Sequence, residues 1–528
     1  MKSARRTSPQ WRSGCHGVAL GTAALVSWLA LPAFASTGLD SPESGVVQAG
    51  RGNAWVARAD DPLAAYMNPA ALVTQASGVH LGAHLIMLDR CFTRRGPGNT
   101  PVPANASAPG TFPAPGTPGG PPAAVCNEGG VFPNPQIAGT WRVTNDLALG
   151  LAVVAPHAAG STIFPETVTE EGGQVQPAPQ RYLLVSSESL LVAPTLSVSY
   201  AVTPEIALGA GFIWGVGSID VVNFSEATSS PGGDDFNAHQ DLRARLRGVD
   251  AFMPGFVLSA LWSPSPRVDV GAWFKWQDGL RTSTRVTIES LYWSASGAKN
   301  EQRCAGRDPD CNVTDVEDAG SFHLRVPMEA RLGVRYHHPR VTSERPGWAV
   351  GDRRVRDPMS EDLFDVEVDF TWAHNSVVDA LEIRFKPNTI PVRDTPGFVP
   401  ENADVPHEWR DVFGVRVGAD VVALPSLLSF RAGGFCETKG QDDQYLNVDF
   451  HLGWRVGLSG GATVRLGPVD LSVAYQHTFF GALDNGGDGK VQALSGDVGS
   501  GYRSVQAING GRLESSLNEV GLSGTLRF

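Results

Sequence analysis

Apolar and polar residues alternate with a period of two along much of this chain. In FDVEVDFTW, Phe364, Val366, Val368, Phe370 and Trp372 fall on one side, and Asp365, Glu367, Asp369 and Thr371 on the other. VDVGAWFKW sets Val268, Val270, Ala272, Phe274 and Trp276 against Asp269, Gly271, Trp273 and Lys275. VDLSVAYQ sets Val469, Leu471, Val473 and Tyr475 against Asp470, Ser472, Ala474 and Gln476. This period describes strands with one greasy and one polar face. Soluble sandwiches share it, so strand length has to separate the two cases. A tilted membrane strand takes about 9–11 residues, whereas soluble strands run to about 5–6. Several stretches here reach the longer size, with aromatic residues at their ends as in interfacial belts.

Five hairpins are predicted, pairing 136–143 with 147–155, 191–202 with 206–223, 252–262 with 267–282, 409–423 with 428–437, and 451–466 with 469–480. Single strands fit 77–92, 321–337, 363–374 and 516–528, so ten strands in hairpins and four alone make fourteen. Tight turns at 144–146, 203–205, 263–266, 424–426 and 467–468 alternate with long polar stretches. That rhythm is the one of bacterial outer-membrane barrels, with short periplasmic turns and longer outer loops. The expected fold is therefore all-β: a transmembrane antiparallel barrel occupying 77–528. The stretch 339–361 breaks the rhythm, since a short turn is due there. Either it is a periplasmic insertion or the strand phase is wrong at that point. Residues 96–124 are Pro/Gly-rich, cannot pack a core, and read as a long exposed loop.

The two ends of the chain extend this picture. Lys2, Arg5, Arg6 and Arg12 precede an almost uncharged apolar run from Gly17 to Phe34, closing on Ala33-Phe34-Ala35. That is the form of a secretory signal peptide, 1–35. No later apolar run is long enough for a membrane helix. At the far end, Val520, Leu522, Leu526 and Phe528 share one strand face. A last strand closing on an aromatic residue resembles the assembly signal of outer-membrane barrels, so the barrel-assembly machinery is an expected partner.

Composition agrees with a barrel. The hydrophobic share is 42% and glycine numbers 60, and a membrane barrel needs apolar residues only on its outer face. The net charge of -12 argues against a nucleic-acid partner. Cys304 and Cys311 are separated by Ala-Gly-Arg-Asp-Pro-Asp, which can turn back on itself, so a disulfide between them is predicted. The state of Cys91, Cys126 and Cys436 is left open. No C-x-x-C or paired-histidine spacing points to a metal, and no cofactor is expected. His337-His338, beside Pro339, reads as a solvated turn. There is no G-x-S-x-G elbow and no H-E-x-x-H, and GRGNAW lacks the Lys-Ser/Thr of a phosphate loop. No catalytic residue is assigned, and the chain is read as a non-enzyme.

One stretch does not fit the strand pattern: GVVQAGRGNAWVARADDPLAAYMNPAAL, from Gly45 to Leu72. Ala49, Gly50, Gly52 and Ala54 allow backbone to approach backbone. Asp60-Asp61-Pro62 and Asn68-Pro69 are turn or helix-start signals, with about one helical turn between them over Leu63 to Met67. The order Gly-Arg-Gly, Ala-Asp-Asp-Pro, Asn-Pro-Ala-Ala-Leu resembles the N-terminal plug of the FadL/TodX family of outer-membrane transport proteins. EWRDVFGVRVGADV, from Glu408, is similar to that family's Trp-x-Asp strand start, and SFRAGGF follows as its next strand would. The family's Pro-Phe-Gly is replaced here by Pro156-His157-Ala158, near the strand whose kink opens the family's barrel wall.

The resemblance implies a hatch over 36–76 inside a fourteen-stranded barrel. It also implies passive uptake of long-chain fatty acids or other hydrophobic small molecules across the outer membrane. Asp60, Asp61, Asn68, Pro69 and Ala70 are assigned to hatch structure and gating. Phe212, Ile213, Trp214, Phe224, Phe252, Met253 and Phe256, around the third long loop, are the candidate substrate-binding residues. A hydrophobic ligand and outer-membrane lipids are the expected partners. A polar-solute porin and a loop-rich adhesin barrel remain as alternatives, with an outer-membrane lipase further off. A polar porin has no need of an internal plug.

Overall fold

A computed structural model describes residues 45–96, 100–101, 124–169, 175–226, 241–294, 298–304, 308, 310–340, 355–392, 399–494 and 503–528. The expected signal peptide, most of the Pro/Gly-rich stretch 96–124 and residues 341–354 lie outside these. Among the described residues, fourteen long strands form the wall: β1 Gly78–Gly96, β2 Val131–Arg142, β3 Leu147–Ile163, β4 Ser186–Ala201, β5 Ile206–Glu226, β6 Asp241–Ser265, β7 Val268–Gln277, β8 Glu329–Pro339, β9 Asp362–Ala373, β10 Val412–Leu424, β11 Leu428–Glu437, β12 Arg455–Leu466, β13 Val469–Phe480 and β14 Gly511–Arg527. Each pairs antiparallel with the next. β14 closes on β1 from Gly78↔Arg527 to Arg94↔Gly511. Closure leaves no free edge strand, which a bilayer would not tolerate; among the described residues only the β2–β3 ladder stops short of the strand ends.

The predicted strand phase holds through the anomalous stretch 339–361. β8 and β9 pair directly, from Glu329↔Ala373 to Pro339↔Asp362, so the extra residues are an insertion at the short-turn end. Two predicted strands are each broken in two. The run 267–282 is interrupted after Gln277, and 321–337 is interrupted between Leu324 and Glu329, where Pro327 has no N–H for a ladder. The pieces left over join a different layer. Leu280–Glu289 pairs with the outer part of β6, Val313–Leu324 with Leu280–Glu289, and Ala380–Phe385 with Val313–Leu324. This small sheet rises above the wall on the long-loop side. Cys91 is bonded to Cys126, and Cys304 to Cys311, both on that same side.

The two faces of the wall divide as the alternation requires. Outward, large apolar side chains are uncovered: Leu196, Leu258, Leu458 and Leu522 are 49–63% exposed. So many uncovered apolar side chains around one ring are what a bilayer, not water, would surround. Inward, Asp365, Glu367 and Asp369 of β9 are fully buried, as are Lys275 of β7 and Arg335 of β8. The hatch fills the space between them. Its Leu63, Tyr66 and Leu72 pack on Ala148, Ala193, Ile213 and Trp273 of the wall.

Candidate functional site

The hatch folds into three short pieces: helix Val46–Ala49, helix Ala64–Met67 and the 3-10 turn Pro69–Thr74. Pro69 opens the last of these, where its missing N–H costs nothing. Asn68 does not cap it. Its Nδ2 instead donates to the carbonyl of Val56 at 2.6 Å, tying the two halves of the hatch together. The Leu63 N–H donates to Asp61 Oδ1 at 2.8 Å. Asp60 accepts from Arg58 Nε at 2.9 Å and from Trp55 Nε1 at 3.1 Å. Ala70 is stitched to the wall twice, through its N–H to Ser259 Oγ and its carbonyl to Ser199 Oγ, both at 2.8 Å.

Small residues on the wall make room for this. A Cβ at Gly433 would overlap the backbone of Arg51, and one at Gly209 would overlap that of Ala70. Glycine at these inward positions lets plug and wall meet backbone to backbone.

The acid row of β9 is the main anchor. Asp369 Oδ2 accepts the N–H groups of Trp55 and Val56 at 2.8 and 3.1 Å, and Glu367 Oε1 accepts that of Ala57 at 2.6 Å. Arg51 lies 2.7 Å from Asp365, and also pairs with Asp420 of β10. Arg58 lies 2.7 Å from Asp365 and 3.1 Å from Asp420. On the neighbouring strand β8, Arg335 lies 3.2 Å from Asp365. The principal partners come from the hatch, which the alternation could not reveal. A signal was present: Arg51 and Arg58 are the only cations between Gly45 and Leu72, facing a strand with three acids in alternate positions. Charges buried this deeply are tolerated only when paired.

Two adjacent hatch carboxyls are driven apart. Burial and then the charge of Asp60 push Asp61 up to about 7, against the pull of the Leu63 N–H. Asp60 is partly desolvated as well, but Arg58 and then more distant guanidinium groups hold it down at about 2.

Above the hatch lies a cavity of about 240 Å³ with mostly apolar walls. Ile86 and Leu88 of β1, Phe132 of β2, Leu242 and Leu246 of β6, and Ile288, Phe322 and Phe385 of the outer sheet line it. Arg90, His451 and Arg455 line it as well. Arg455 is paired with Glu437 at 2.6 Å. Arg90 is different. It is 7% exposed, donates to the carbonyls of Val448 and Asp449, and has no carboxylate within ion-pair distance among the described residues. His451 Nε2 donates to the Gly481 carbonyl at 2.8 Å, so its Nδ1 accepts from Ser515. Burial, and then the nearby Arg90, push its pKa down to about 3, so the ring is neutral. The mostly apolar cavity thus carries a buried cation that makes no direct ion pair among the described residues; its nearest attractive charge, the carboxylate of Asp449, also lines the cavity but lies beyond ion-pair distance.

The seven candidate substrate residues lie elsewhere. Phe212, Trp214, Phe252 and Phe256 point out of the barrel, 38–53% exposed. Trp214 and Phe252 meet there edge to face, 4.7 Å between centroids. Ile213, Phe224 and Met253 point inward, and each is buried in a packed apolar cluster. None of the seven lines the cavity. The run Phe212-Ile213-Trp214 could not have lined one groove, because successive strand residues face opposite ways.

Beside the cavity, the wall is incomplete. The β2–β3 ladder runs from Arg142↔Ala148 to Ile137↔Val153 and stops, although β2 continues to pair with β1 as far as Val131. On its other side β3 shifts register against β4 twice, between Val154 and His157 and between His157 and Gly160. The strand therefore bends away from β2 at the Pro156-His157-Ala158 position. One side-chain bond, Asn134 Nδ2 to the Ala155 carbonyl at 3.2 Å, crosses the gap.

These features define a class: closed fourteen-stranded barrels with an N-terminal plug inside the lumen. No described protein family and no curated protein matches the sequence. Solved structures do match. A Pseudomonas aeruginosa FadL homologue aligns at 19% identity and a TM-score of 0.64, over 93% of this chain and 100% of its own. The Ralstonia pickettii toluene transporter TbuX aligns at 14% and 0.53, over 92% and 98%. The Pseudomonas putida toluene transporter TodX aligns at 12% and 0.55, over 93% and 99%. The chain shares the fold of these FadL and TodX barrels, from the plug to the last strand.

Proposed function

We propose that this protein is an outer-membrane channel for passive uptake of hydrophobic small molecules, and not an enzyme. The observation that carries the reading is an apolar cavity set directly above a plugged lumen, in a barrel of the FadL and TodX fold. A hydrophobic solute crosses the polar outer surface of the membrane poorly. An apolar chamber among the outer loops offers it a desolvated stopping place. The hatch blocks water flow below. The gap between β2 and β3 is the route by which cargo leaves sideways into the bilayer. Of the candidate cargoes, the buried Arg90 favours an amphiphile with a carboxylate over a bare hydrocarbon, because the anion would supply the direct ion pair that Arg90 does not make with Asp449 or any other described residue.

A polar-solute porin is the less favoured reading, since the hatch packs against most of the lumen wall. The test is to identify the molecule that co-purifies with the protein in mild detergent and to measure its uptake by cells with and without the chain. A long-chain acid or related amphiphile, taken up only when the protein is present, is the expected result. High steady conductance in planar bilayers, with no hydrophobic ligand retained, would establish the porin instead.

A further inference from the structure

The insertion between β8 and β9 returns under the hatch, and its described part is bound on both sides of the barrel mouth. The Arg356 guanidinium grips Asp269 of β7 with two bonds of 2.8 Å, and donates to Ser263 Oγ of β6 at 2.7 Å. The next residue, Asp357, accepts from Arg465 of β12 at 2.6 and 3.0 Å and from Arg527 of β14 at 3.4 Å. β7 and β14 are seven places apart in a ring of fourteen, so they stand opposite each other. Two consecutive residues joined to opposite walls must lie beneath the middle of the lumen. The Arg356 N–H also donates to the Thr74 carbonyl, at the end of the hatch, at 2.8 Å. Further along, the Met359 carbonyl accepts from Ser426 in the β10–β11 turn at 2.9 Å, and Pro358 and Met359 are buried.

We propose that residues 355–362 form a strap across the periplasmic mouth, a second closure in series with the hatch. Four strands and one turn contribute to its attachments, and the Arg356–Asp269 contact is bidentate, the geometry that fixes a guanidinium most firmly. A plug held only from the side could drop toward the periplasm. This one has a cross-piece under it, bonded to its last turn. The strap therefore opposes downward displacement of the hatch and narrows the mouth even when the hatch is absent. The assignment of the mouth to the periplasm rests on the channel reading above, but the barrier itself does not depend on any cargo.

The test uses the full-length protein reconstituted in planar bilayers, with three variants: a deletion of 45–72, the pair Arg356→Ala and Asp357→Ala, and the two combined. The hatch deletion is expected to raise steady conductance, and the combined variant to raise it several-fold further. Combined conductance no greater than that of the hatch deletion would overturn the proposal. Because the deletion can fail to insert, a second measurement keeps the hatch intact. Ser263→Cys, beneath the Arg356 side chain, is labelled with a bulky water-soluble thiol reagent, with and without Arg356→Ala and Asp357→Ala. Labelling at least tenfold faster in the strap variant is expected, and equal rates would overturn the strap. Hydrophobic uptake is measured in parallel. Its absence in every form, wild type included, would count against the channel function and leave the strap result standing.

Discussion

The guanidinium of Arg51, in the hatch, lies 2.7 Å from the carboxylate of Asp365, on β9. Both are buried, and the pair joins the plug to the wall at its most charged point. Arg51→Ala leaves Asp365 and Asp420 dependent on Arg58, Arg335 and Arg431. Removing one member of a buried ion pair costs about 3–5 kcal/mol, and the remaining cations place this case toward the lower end. The variant is expected to unfold in detergent at a lower temperature and to show brief openings in single-channel records. A wild-type melting temperature together with a silent trace would remove Arg51 from any role in holding the hatch.

Val368, on the outer face of the same strand, is flanked by Glu367 and Asp369, which are fully buried on the inner face. Val368→Arg should destabilise the barrel by roughly 2–4 kcal/mol if the position is near the bilayer midplane. Glu367→Gln should still insert, because the lumen is polar. Cysteine scanning separates the faces: a lipid-dissolved probe should label 366, 368 and 370 and miss 365, 367 and 369. Equal labelling of both rows would overturn the assignment of faces.

Arg90 offers the cleanest test of cargo chemistry. Arg90→Gln removes the charge and shortens the side chain while keeping an amide that can still donate hydrogen bonds. A hydrogen bond to a charged group contributes about 1.5–3 kcal/mol, so affinity for a carboxylate amphiphile should fall on the order of 10- to 100-fold. Affinity for a neutral hydrocarbon of the same length should change little. Isothermal titration with a fatty acid and its alcohol analogue checks this, and equal losses for both would assign Arg90 to structure alone.

The raised pKa of Asp61 predicts a pH dependence of the hatch. Burial and then the charge of Asp60 raise the docked carboxyl to about 7, against an ordinary value of 3.8, and among the described residues its Oδ2 has no hydrogen-bond partner. The docked state therefore binds a proton that a released hatch gives up between those two values. Docking is strongest below the lower value, weakens as pH rises toward about 7, and is level beyond it. Channel flicker should accordingly increase across that window and then flatten. Asp61→Asn should remove the slope; an unchanged slope in the variant would place the titrating group elsewhere.

The sequence by itself determined which face of each strand is apolar, because side-chain direction in a strand follows residue parity and nothing else. The row Phe364 to Trp372 and its opposing acids could be read without coordinates, as could the tight turns that reverse the chain. The hatch, too, was visible as the stretch that breaks the period. What parity cannot supply is a partner. Arg51 meets Asp365, and Arg356 meets Asp269, only because closing the ring brings distant segments to one height in the lumen. The outer part of β6 does carry the period, Leu242, Ala244 and Leu246 opposing Arg243, Arg245 and Arg247, although the predicted strand began only at 252. Parity does not supply the cavity either. Phe212, Trp214 and Phe252 are aromatic and close in sequence, yet they face outward. The cavity's lining, from Ile86 to Phe385, is gathered from segments that local pattern treats as unrelated. A groove is a property of which walls face each other, and only the tertiary structure decides that.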